Sequence, residues 1–136
     1  MRMMIVAGLV ASTLISSTGI AQAKRPLEEV TSITEGLLWI GIADEIRKTC
    51  PNISARMFKA LTRINGIHNE AKSLGYSKDE IDTFRTSDAN KAELRSRGEA
   101  YLQANGVVLD DPETYCTLGR AEIAKSSQIG TLLRAN

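Results

Sequence analysis

Two cysteines and one histidine are the residues of this chain best able to do chemistry. Cys50 and Cys116 stand far apart, with no C-x-x-C, so nothing in their spacing points to a redox couple. Two sulfurs and one His fall short of a structural zinc set. His68 lies beside the apolar stripe of a helical segment, near Glu70. It has neither the H-E-x-x-H nor the Glu-x-x-His spacing that builds a metal centre on helices. The carboxylates gather at Asp79, Glu80 and Asp82 and again at Asp110, Asp111 and Glu113. Neither group follows the D-x-D-x-D-G order of a calcium loop. Both fall at expected helix starts, where acids favour the positive end of the dipole. The serines show no nucleophile elbow and no base nearby. Asn52-Ile53-Ser54 fits a glycosylation sequon, but a capping role for Asn52 is the more economical reading. No catalytic, cofactor-binding or metal-binding residue is assigned.

The compartment decides how the cysteines are read. Met1-Arg2 carry positive charge, an apolar run extends from Met3 to Leu14, and the segment closes on Ala21-Gln22-Ala23. That is the pattern of a secretory signal over residues 1–23, cut after Ala23. The expected mature protein starts at Lys24 and is periplasmic. In an oxidising compartment the expected form of Cys50 and Cys116 is a disulfide. Closing a loop of about 67 residues stabilises the fold by on the order of 4 kcal/mol.

Removing residues 1–23 leaves 113, enough for a single domain over 24–136 with one core. Arg2 leaves with the signal and no acid does, so the 17 Lys+Arg fall to 16 against 16 Asp+Glu. A balanced chain has no electrostatic reason to seek nucleic acid or anionic lipid. No stretch after Lys24 approaches the roughly 20 apolar residues of a membrane span.

The elements that would position these residues are helical. Ser32-Ile33-Thr34-Glu35 has the form of a capping box, and apolar residues recur at Ile33, Leu37, Ile40, Ala43 and Ile46 up to Cys50. Pro51 interrupts the helix, and Asn52 is the expected cap of a second one. The second helix's apolar face runs Ile53, Met57, Leu61, Ile64, Ile67, Ala71, Leu74, with Gly75 placed for a left-handed C-cap. Ser77-Lys78-Asp79-Glu80 opens a short helix. Ser87 or Asp88 opens another that closes at Gly106, and Asp111-Pro112 starts the last. Tyr115, Cys116, Gly119, Ile123, Ile129 and Leu132 are expected along its buried side, with Ser126-Ser127 and Gly130 fraying its end. No alternating β-branched run follows the signal, so no sheet is expected. The fold class is all-α, a small bundle of four to five helices with one disulfide.

Binding residues are sought on the first helix. Asp44 and Glu45 with Arg47 and Lys48 form a charged patch suited to i,i+3 and i,i+4 pairing and, secondarily, to docking. Trp39 is the sole tryptophan and sits one step from the apolar face. Packing is its default role, and an exposed Trp would mark a contact site. Trp39, Asp44, Glu45, Arg47 and Lys48 are therefore the candidate interaction residues.

Three runs carry a resemblance: 42–50 (IADEIRKTC), 53–57 (ISARM) and 74–81 (LGYSKDEI). The tail carries it too, through Tyr115-Cys116, Gly119 to Ala124, Ile129-Gly130 and Leu132 to Arg134. Together they resemble a family of small exported alphaproteobacterial proteins defined by a domain of unknown function, over essentially the whole mature chain. Members of that family tend to be encoded among the genes for respiratory complex I, the proton-pumping NADH:quinone oxidoreductase. Some bear the name of one of the NADH dehydrogenase subunits. The protein to which that name properly belongs is thioredoxin-like and holds a two-iron cluster on four cysteines, on the cytoplasmic side. A helical, exported chain with two cysteines is not that electron carrier. The resemblance therefore implies an accessory or assembly component on the periplasmic side of complex I. A non-enzymatic exported protein acting by contact is the leading expectation. A soluble periplasmic small-ligand-binding or stress-type domain is the alternative.

Overall fold

A computed structural model describes residues 24–136 of the protein. Residues 1–23, with the expected export signal and its cleavage after Ala23, lie outside the described residues. A buried Leu27 anchors a short 3-10 turn, Leu27–Glu29, that leads into helix α1, Thr31–Thr49. The remaining helices are α2 Met57–Ser73, α3 Lys78–Thr86, α4 Asp88–Ala104 and α5 Pro112–Ala124. The all-α expectation holds, with five helices among the described residues.

Three local starts follow the sequence signals. Ser77 accepts from the Glu80 N–H while the Glu80 carboxylate accepts from the Ser77 N–H, a complete capping box. Ser87 caps α4 through the Asn90 N–H, and Asp111 caps α5 with Pro112 in its first turn. Gly75 and Gly106 take the left-handed conformation that ends α2 and α4, at φ of 92° and 90°.

Other expectations are corrected. Ser32 is not a cap: α1 begins at Thr31 behind an extended Val30 with no side-chain cap. Both members of the would-be box serve other helices, since the Ser32 hydroxyl donates to Glu70 of α2 and Glu35 pairs with Arg97 of α4. Asn52 does not cap α2 either. The chain stays extended as β1, Ile53–Ala55, and α2 starts behind Arg56. A small sheet therefore exists where none was expected. β1 pairs antiparallel with β2, Leu133–Ala135, in the register Ile53↔Ala135, Ser54↔Arg134, Ala55↔Leu133. The last helix stops at Ala124. The chain turns through Ser126 at φ 50° and brings Ile129, Leu132 and Leu133 back into the core from a 3-10 turn and β2.

The Cys50–Cys116 disulfide joins the end of α1 to α5, with Cα atoms 5.1 Å apart, and both residues are buried. Around it pack Ile42, Ile46, Ile53, Leu118 and Leu133. A Cβ on Gly119 would overlap the side chains of Ile53 and Ile46, so this glycine sets how closely α5 approaches α1. A second cluster, Leu27, Ile33, Ile67, Ala71, Tyr76 and Ile81, ties α2 and α3 to the start of α1. The central helix α1 belongs to both clusters and packs against α2, α4 and α5. No helix among the described residues is long and apolar enough to cross a membrane.

Candidate functional site

The second helix leaves its apolar face largely uncovered. Ile67 and Ala71 are buried, whereas Met57, Leu61, Ile64 and Leu74 stand 58%, 53%, 43% and 48% exposed. Of the seven residues expected as one buried stripe, Ile53 is buried in β1 and Ile67 and Ala71 against α1 and α3, while the other four are exposed. The physical reason is the route of the chain: α2 and α4 both pack on α1 and leave a trough between them.

That trough is an open, mainly apolar cleft of about 960 Å³. Leu37, Ile40 and Gly41 of α1 form its floor. Met57, Ala60 and Ile64 of α2 form one wall, and Leu94 and Gly98 of α4 the other. Phe84 and Ile81 of α3 stand at the end nearest the start of α4. On the rim, Arg85, Lys91 and Arg95 stand toward α3, and Glu45 and Glu99 toward the far end. Those two carboxylates gather near Tyr115. Burial, and then Glu45, Glu99 and Asp110, hold its phenol above the ordinary tyrosine range.

Three of the five candidate interaction residues reach this cleft: Asp44, Glu45 and Arg47. Asp44 is already engaged. It accepts from Arg47 at 2.6 Å and from Lys48 at 2.5 Å. Burial alone would raise its pKa, but the hydrogen bonds from Lys48 and Arg47 outweigh it, and the carboxyl lies below the usual range. Lys48 does not line the cleft and pairs with Asp44. Trp39 is half-buried outside the cleft, edge-on to Tyr101 with ring centroids 5.5 Å apart. His68 stands on the cleft wall, exposed. Among the described residues, no three His, Cys, Asp or Glu side chains converge as a metal-ligand set.

A polar cluster that the spacing of candidate residues did not single out sits behind Trp39. Glu122 of α5 is fully buried. Its carboxylate accepts from the Tyr101 hydroxyl at 2.8 Å, from the Ser127 hydroxyl and from Lys125 at 3.2 Å. Burial raises its pKa, and the bonds from Ser127, Tyr101 and Lys125 more than offset this, leaving it lowered. Burial and the Glu122 charge push Tyr101 up to about 12. The signal was present in the sequence: Tyr115, Leu118, Gly119 and Glu122 recur at steps of three and one along the buried side of α5. Every donor is used in holding the tail, so this cluster is structural.

An apolar trough with charged ends is an arrangement suited to binding. A family model described as a family of unknown function (DUF5333) matches residues 25–134. No curated protein and no solved structure matches the chain.

Proposed function

The chain belongs to the family of unknown function DUF5333, and we propose that it is an exported, non-enzymatic protein that holds a protein partner in the cleft between α1, α2 and α4. The observation that carries this reading is the pair of exposed apolar residues Met57 and Ile64 on the wall of an apolar cleft. Contiguous exposed apolar surface of this kind marks an interaction site. The disulfide fits an oxidising, exported environment.

The partner we propose is respiratory complex I, with this protein as an accessory or assembly component on its periplasmic side. The support is the resemblance of the mature chain to exported proteins encoded among complex I genes. The test is co-purification of C-terminally tagged protein from membranes solubilised in mild detergent, with bound chains identified by mass spectrometry. Complex I subunits recovered in fixed ratio would uphold the assignment. Recovery of the protein alone, in the soluble fraction, would overturn it.

A second reading has its own observation. At about 960 Å³ the cleft lies at the upper end of the range for small-molecule sites. A thermal-shift screen of periplasmic metabolites tests it. A ligand present at a hundred times its Kd stabilises by about 2.7 kcal/mol.

A further inference from the structure

We propose that the cleft seats an amphipathic helix of the partner, its acidic N-terminal turn at the α3 end and its basic C-terminal turn at the Glu45–Glu99 end. This rests on the reading of the cleft as a contact site and adds the chemistry and direction of what fills it.

Shape comes first. The α2 wall from Met57 to Ala71 extends about 20 Å, close to four helical turns. Its apolar side chains face Leu94 across a floor of Leu37 and Ile40. Two helices flanking a third, with an apolar trough between them, lack one helix of a four-helix arrangement. A helix bound in such a groove presents anchors at i, i+3, i+4 and i+7.

Charge gives the direction. Lys91 and Arg95 are one turn apart on α4, and no carboxylate among the described residues pairs with either. Arg85, at the end of α3, reaches Asp82 only at 3.6 Å and shares it with Lys78. Glu99 lies two turns beyond Lys91, about 12 Å along α4. Neither Glu99 nor Glu45 pairs with a cation among the described residues. The nearby Asp44 differs, being neutralised by Arg47 and Lys48. The cleft thus has a basic end and an acidic end, neither closed by an ion pair, although Glu45 also feels the Lys48 charge.

A helix lying in either direction can answer both ends, and of the two charge orders the one with acids in its first turn and bases in its last is singled out by the dipole. That distribution complements the helix's own dipole, so such a segment is already disposed to be helical. An acyl chain with an anionic head would answer the basic end and leave Glu45 and Glu99 unmet. The charge pattern therefore favours the helix.

The experiment uses the exported, disulfide-bonded chain and two labelled synthetic peptides of about 15 residues. Both have leucines at helical spacing and the same composition. One carries Glu in the first turn and Lys in the last, and the other is reversed. Fluorescence anisotropy at low salt should show the first peptide binding about five- to tenfold tighter, with the margin shrinking as salt is added. Replacing both surface cations, Lys91→Glu with Arg95→Glu, makes both ends acidic and should abolish the margin. Equal affinity for the two peptides, both lost in Ile64→Asp, would overturn the direction while leaving the cleft as a contact site. Binding of neither peptide would overturn both. A rise in melting temperature with dodecanoate, and none with peptide, would make the occupant an amphiphile and overturn the proposal.

Discussion

Glu122 shows how a single buried charge can fasten a chain end. It has no exposed surface, and its three donors come from α4, from the end of α5 and from the tail beyond it. The Ser127 hydroxyl that donates to Glu122 also accepts from the Gly130 N–H at 2.9 Å, so the carboxylate fixes the turn that returns Ile129 and Leu132 to the core. Glu122→Ala should cost about 1–3 kcal/mol through donors left unpaired in the interior. A carboxylate with a lowered folded pKa contributes stability that is present above its unfolded value and is lost as pH falls through the folded one. Melting temperature should therefore drop as pH falls below the ordinary value of 4.5, and Glu122→Gln should flatten that drop. A wild-type profile that Glu122→Gln leaves unchanged would refute the assignment. The disulfide acts on the same tail from the other side. Its cysteines are 66 positions apart. Replacing both with Ser should cost on the order of 4 kcal/mol, or roughly 15–25 °C in melting temperature. The bond was legible because a pair of cysteines behind an expected export signal has few other uses. Glu122 was harder to see, because a Glu on a helix is ordinarily at the surface.

The elements divide by how local their causes are. The starts of α3, α4 and α5 were legible because Ser77 with Glu80, Ser87, and Asp111 with Pro112 act within one turn. Ser77→Ala should cost about 1 kcal/mol, seen as a lower denaturant midpoint with an unchanged slope. The start of α1 was not legible, because Ser32 and Glu35 bind side chains more than thirty positions away. Nor was the sheet. Ile53–Ala55 is extended because Leu133–Ala135 comes to pair with it, and a three-residue strand has no periodicity of its own. Two glycines hold these elements close. A Cβ at Gly130 would overlap the backbone of Glu122, which cannot yield as a side chain can. At Gly119 the obstacles are the side chains of Ile46 and Ile53. Gly119→Ala should cost about 1–3 kcal/mol by overpacking, and Gly130→Ala more. Equal midpoints for the two variants would contradict that difference.

At the scale of the molecule, the decisive feature is an apolar helix face with too little to cover it. Helical spacing identifies Met57, Leu61 and Ile64 as one face, and it does not say whether the same chain covers that face. Here α1 and α3 cover Ile67 and Ala71, α4 stands across the trough, and the rest remains open. That is why Asp44, Glu45 and Arg47 could be found from sequence as a charged patch while the cleft beside them could not. Trp39, the residue most often expected to anchor a contact, is taken by Tyr101. Because Ile64 is 43% exposed, Ile64→Asp should change folding stability by less than about 1 kcal/mol while removing the apolar centre of the α2 wall. The most direct measurement is co-purification from mildly solubilised membranes of tagged wild type and Ile64→Asp side by side, after matching their melting temperatures. If the cleft holds the partner, complex I subunits accompany the wild type in fixed ratio and are lost from the variant. Equal recovery with both proteins, or with neither, would contradict it.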